Sequence, residues 1–102
     1  MTKLTYYYLL SVVTLSVSLP VLAAEISYDE ARALRKAGKI LPLSTVIAQA
    51  QVVKPGKVIE IQLDEDDGQY EYEIELLDAN GRVWEMEFNA TDGALMDLEL
   101  DD

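Results

Sequence analysis

The sequence predicts an α+β domain: two N-terminal helices packed on one face of a four-stranded antiparallel β-meander. Three observations carry that prediction. Between Lys57 and Leu100, four runs alternate apolar and polar residues with a period of two. Breaks containing Gly68, Gly81 and Gly93 separate those runs. The segment before Lys57 places apolar residues at helical spacing, which supplies the cover a one-sided apolar sheet needs.

In chain order, residues 1–23 read as a secretory signal peptide that is removed. Lys3 lies in a short n-region, an apolar stretch runs from Tyr6 to Val17, and Pro20 precedes Val21-Leu22-Ala23. Ser11, Thr14, Ser16, Ser18 and Pro20 make a poor permanent helix, so cleavage near Ala24 or Glu25 is favoured over retention as an anchor. Residues 24–102 are then expected to form a single exported domain, periplasmic or secreted.

The first helix is expected at about 27–38. Ser27-Tyr28-Asp29-Glu30 fits a capping box, in which the Ser27 hydroxyl accepts from the Glu30 amide and the Glu30 carboxylate reaches back to the Ser27 amide. Ala31, Leu34 and Ala37 continue at helical spacing. Arg35, Lys36 and Lys39 suit the negative end of the helix dipole, and Gly38 suits the cap. The basic run Arg32–Lys39 is read as a solvated face, not an anion site. After Pro42 a second helix is expected at about 43–52, with Leu43, Val46, Ile47 and Ala50 on one side. Lys54-Pro55-Gly56 ends it.

The strands are expected at about 57–64, 69–77, 82–89 and 94–100. Asp78-Ala79-Asn80-Gly81 suits a type I turn closed by a left-handed glycine, which sets Leu76 opposite Trp84, Ile74 opposite Met86 and Tyr72 opposite Phe88. Keeping apolar residues together at the other turns pairs Ile61 with Tyr72, Ile59 with Ile74, Phe88 with Met96 and Met86 with Leu98. The outer face then carries Glu60, Glu73, Glu87 and Asp97 in one row, and Glu75, Glu85 and Glu99 in the next. Like charges placed opposite destabilise a sheet by about 0.2–1 kcal/mol per pair.

The formal net charge of −11 repels nucleic acid phosphates and anionic lipid surfaces, which excludes two partner classes. Cys and His are both absent, so the chain has no thiolate nucleophile, no disulfide and no imidazole base or ligand. No catalytic residues and no cofactor are expected. The acids of an open sheet face lack the two distinct environments that separate a catalytic acid from a catalytic base. Asp64, Asp66 and Asp67 offer hard oxygens for calcium, but their loop fails the EF-hand spacing, so they are weak metal candidates. Tyr70, Tyr72, Trp84 and Phe88 fall at inward positions and read as core. The candidate interaction face is Glu60, Glu73, Glu75, Glu85, Glu87, Asp97 and Glu99.

Three stretches, Ile26-Ser27-Tyr28-Asp29-Glu30-Ala31, Asp66-Asp67-Gly68 before Tyr70-Glu71-Tyr72-Glu73-Ile74, and Phe88-Asn89-Ala90-Thr91-Asp92-Gly93-Ala94-Leu95, resemble the PepSY domain in order and spacing. The family usually closes with Asp-Ala-x-Thr-Gly, whereas this chain has Asn89 for the Asp and Asp92 for the Thr. The resemblance implies helix packed on antiparallel sheet and no catalytic residues. It further implies a protein-binding role in inhibiting or regulating a peptidase or a signalling protein, with another exported or membrane-attached protein as partner. The alternative is an acidic divalent-cation (calcium) binding protein.

Overall fold

The computed structural model describes residues 24–101, so the expected leader at 1–23 lies outside the described residues. Two helices and an antiparallel sheet give an α+β arrangement. In order the elements are β1 (Ala24–Glu25), α1 (Tyr28–Lys36), α2 (Leu43–Val53), β2 (Lys57–Asp66), β3 (Gln69–Leu77), β4 (Val83–Asn89) and β5 (Leu95–Asp101). The sheet is five-stranded, in the order β1-β2-β3-β4-β5. The expected four-stranded meander is therefore extended by β1, which pairs Ala24 with Glu65 and Glu25 with Asp64. Two residues are too short to show a period, so the sequence carries no signal for that strand.

Helix α1 begins as the capping box requires on one side only. The Ser27 hydroxyl accepts from the Glu30 amide at 3.3 Å, but the Glu30 carboxylate meets the Ser27 hydroxyl at 3.5 Å instead of its amide. At the other end Gly38 N–H donates to Arg35 O and Lys39 N–H to Leu34 O, the paired bonds of a Schellman cap. No residue of α1 is buried, and Ala31 and Leu34 rest partly buried against the core. Helix α2 starts after Pro42 without a side-chain cap and buries Val46 and Ala50. Those two side chains join Tyr72, Ile74, Leu76, Met86 and Phe88 in one apolar cluster.

The β3–β4 register is the expected one: Leu76 opposite Trp84, Ile74 opposite Met86 and Tyr72 opposite Phe88. Asp78 explains why. Its carboxylate accepts from the Asn80 and Arg82 amides at 2.8 and 2.9 Å and from the Trp84 indole N–H at 2.9 Å, which locks the turn to Trp84, a partly buried residue of β4 packed against the core.

The β2–β3 register differs from expectation by two residues. Ile61 faces Ile74 and Leu63 faces Tyr72, in place of Ile61 with Tyr72 and Ile59 with Ile74. The reason is a two-residue turn: Asp67 and Gly68 have φ of 51° and 76°, both in the left-handed region that a type I′ hairpin needs. Asp66 thus pairs directly with Gln69. A bulge between Val58 and Glu60 then ejects Ile59, which is 46% exposed. A second bulge lies in β4–β5. Met86 faces Leu98 as expected, but Phe88 faces Leu95 and not Met96.

The Asn89–Gly93 turn ties the sheet to the segment between the helices. Asn89 Oδ1 accepts from the Thr91 amide at 2.8 Å, Thr91 Oγ1 donates to Lys39 O at 3.0 Å, and the Leu41 amide donates to Ala90 O at 2.7 Å. Gly93 has a φ of 80°, and a Cβ there would sit 2.8 Å from Gln49 Oε1. The positive φ calls for glycine, and a side chain there would also displace the end of Gln49.

Candidate functional site

Because period two sends successive residues to opposite faces, the two-residue correction at β2–β3 leaves every acid on the outer face but regroups the rows. One row now reads Gln62, Glu73, Glu87 and Asp97; the next reads Glu60, Glu75, Glu85 and Glu99. Glu60, expected beside Glu73, stands beside Glu75 because the turn and the bulge fix it there. The second row is carboxylate on all four strands of the meander.

Burial divides these acids by strand. Glu73, Glu75, Glu85 and Glu87 on the central strands are half-buried between their neighbours, whereas Glu60, Asp97 and Glu99 on the outer strands are exposed. The carboxylate of Glu73 is pushed up to about 7, first by burial and then by the charge of Glu85 and a hydrogen bond to it, with Asp64 and Glu87 adding to the effect. Glu75 is raised by burial and by Glu60 and Asp101; Glu87 is raised by burial and by Glu71 and Asp97. Glu99 is raised chiefly by the charge of Asp97. Carboxylates in register on adjacent strands resist simultaneous ionisation, so the face holds protons that isolated acids would release.

Two groups of carboxylate oxygens converge within 4.8 Å of one another: Glu73, Glu85 and Glu87, and Glu75, Glu85 and Asp101. Asp101 was not among the residues singled out from the sequence. It enters because β5 runs to Asp101, one residue past the expected end. The weaker metal candidates are dispersed. Asp64 faces Glu71 on β3 and Glu25 on β1, Asp66 pairs with Gln69, and Asp67 forms the turn itself. Asp64 is raised by burial and by Glu25.

Among the described residues the ion pair within 4.0 Å joins Arg32 to Asp29 on α1, and none reaches the acidic rows. Lys54, just before β2, lies 3.9 Å from the centroid of the Trp84 ring, at the end where Asp78 holds the indole. Asp78 is held below the usual carboxylate range by its bonds from Trp84, Arg82 and Asn80.

Beside β1 and α1 lies a cavity of about 430 Å³, bordered by Ile26, Tyr28, Arg32, Arg35, Ile61 and Tyr72. The Tyr72 hydroxyl on its wall donates to Leu41 O at 2.9 Å, which is a structural bond. Glu25 is the carboxylate of that cavity.

Comparison with known families places the PepSY pattern, described as "Peptidase propeptide and YPEB domain", on residues 40–99. That stretch runs from Ile40 through α2 and the meander, so α1 lies before it. The protein YkoJ of Bacillus subtilis (strain 168), described as uncharacterized, is 47% identical over 47 residues, 46% of this chain and 28% of the relative. The aligned stretch thus spans under a third of YkoJ. No solved structure matches the chain.

Proposed function

The chain belongs to the PepSY family, and from that premise we propose that it is an exported, non-enzymatic module that binds another protein and holds a peptidase or a signalling protein in check. In this reading the leader directs export to the periplasm and is removed. The two helices cover the apolar face of the sheet and leave the acidic face free to meet a partner. The observation that carries the reading is the pair of unneutralised carboxylate rows, in which Glu73 is pushed up to about 7. A basic surface laid on those rows would relieve their mutual repulsion, so the strain of the free protein becomes binding free energy.

Affinity capture from a periplasmic extract, with residues 24–102 as bait, tests the proposal. A partner whose capture weakens in the Glu73→Gln/Glu87→Gln variant is the expected result. Capture no better than that of an unrelated domain of equal charge would remove the proposal. A gain in stability with unchanged capture would make the rows a solubility device.

The converging oxygens favour a second reading, a divalent-cation binder in which Glu73, Glu85 and Glu87 coordinate calcium. Calorimetry decides it: no heat and no rise in melting temperature at millimolar calcium rejects this alternative. Among the described residues no helix is long and apolar enough to cross a membrane.

A further inference from the structure

Among the described residues strand β5 forms one edge of the sheet and is bonded on one side, to β4. An edge strand presents a row of unpaired N–H and C=O groups to solvent. Its apolar side is also uncovered: Leu95, Leu98 and Leu100 are 44%, 37% and 39% exposed. Phe88 and Met86, which face Leu95 and Leu98 across the β4–β5 ladder, are by contrast fully buried, and Trp84, which faces Leu100, is partly buried, so the apolar surface of the core continues past the covered region to the edge. On the opposite side Asp97, Glu99 and Asp101 carry the carboxylate rows to the same edge. The bulge is confined to the start of β5, and Asp97 to Asp101 pair regularly with Glu87 to Val83.

We propose that the open edge of β5 is a strand-addition site for an extended segment of a partner protein in which apolar residues alternate with lysine or arginine. The proposal rests on the reading of the chain as a protein-binding module and names the surface used and the chemistry it accepts. An added strand sends successive side chains to opposite faces. Its apolar residues meet Leu98 and Leu100, and its cations fall opposite Asp97, Glu99 and Asp101 at cross-strand distance. Backbone bonds supply affinity, and the alternation supplies specificity.

Charge selects between occupants. A second copy pairing β5 against β5 would set Asp97, Glu99 and Asp101 against their own equivalents, which is repulsive, so the acids that guard this edge from self-association are the feature that recognises a basic strand. The opposite edge lacks the combination: β1 covers β2 at Asp64 and Glu65, and the bulge at Ile59 breaks its regularity.

The test uses a fluorescent seven-residue peptide alternating valine and lysine, with blocked ends, a second peptide of equal charge with proline at the central valine, and a third alternating valine and glutamate. Anisotropy at about 150 mM salt, where exposed charges are screened beyond about 8 Å, is expected to show the first binding at least about tenfold more tightly than the second. The third should not bind. Amide exchange should slow within Asp97–Asp101 and not in β2, and Asp97→Lys/Glu99→Lys should abolish binding while leaving the melting transition in place. Equal binding of the proline peptide would show simple attraction to the acidic face and overturn the site. So would unchanged exchange in β5, or a dimer in sedimentation that the double variant dissolves. A partner captured equally by wild type and by the double variant would keep the binding-module reading and remove β5 as its surface. Peptide binding at β5 with no partner captured would keep the site and remove the module reading.

Discussion

Strands β3 and β5 carry the same alternation of apolar and acidic residues, yet β3 buries Tyr72, Ile74 and Leu76, while every residue of β5 is exposed. The difference is one of neighbours. β3 has a strand on each side, and α2 approaches it, so its apolar side chains are enclosed and its acids are wedged between those of β2 and β4. Among the described residues β5 has one neighbouring strand, and its side chains of both kinds meet water. An identical pattern therefore yields a core strand with perturbed carboxylates in one place and an accessible edge in the other. What the core strand contributes is stability, and what the edge strand keeps is surface.

Side-chain truncation separates the two strands most directly. Ile74→Ala should lower the unfolding free energy by about 3–4 kcal/mol in urea titration, because a fully enclosed side chain leaves a cavity. Leu98→Ala should cost less than about 1 kcal/mol, since only part of its surface leaves water on folding. Equal losses would mean that β5 is covered in solution. Next in size, Gly93→Ala at the turn that launches β5 should cost about 2 kcal/mol in the same titration. Its φ of 80° is strained for any side chain, and the added Cβ meets Gln49.

A smaller effect separates the acids. The folded-state value of Glu73, about 7, lies above the ordinary value of 4.5, so the folded protein binds the extra proton between those limits. Stability should therefore fall as pH rises from about 4.5 to 7 and level off above, so the protein should melt higher at pH 5 than at pH 7.5. Glu73→Gln should remove most of that slope and stabilise the protein at pH 7.5 by about 1 kcal/mol, the full linkage being reduced by solvent screening. At pH 5 the gain should shrink. The smallest effect is expected for Glu99→Gln on the exposed edge, which should leave the melting temperature unchanged within the error of calorimetry; a gain matching that of Glu73→Gln would show that the two strands hold their acids alike.

The faces of the sheet were legible because side-chain direction depends on position along the strand alone. For that reason Glu60, Glu73, Glu75, Glu85, Glu87, Asp97 and Glu99 could be grouped on one face without knowing the register. The β3–β4 register was legible as well, since Asp78 and Gly81 define the turn chemically. The β2–β3 register was not. Matching apolar residues favoured Ile61 opposite Tyr72, whereas the tight turn at Asp67-Gly68 and the ejection of Ile59 decided otherwise. Pattern matching assumes an unbroken ladder, and a bulge changes the pairing while leaving the alternation almost intact. Glu60 was therefore assigned to the wrong row, and Asp101 was passed over because β5 runs one residue past its expected end.

Local chemistry settled in the sequence what depends on adjacent residues: where α1 starts at Ser27 and caps at Gly38, where the chain turns at Gly68, Gly81 and Gly93, and which side of each strand is apolar. Only the tertiary structure decided that β1 joins the sheet, that β3 is enclosed and β5 open, and that Glu73 holds its proton toward neutral pH. Those properties are set by how many strands and helices surround a residue and which carboxylates stand opposite it, and such neighbours are contributed by residues far away in the chain.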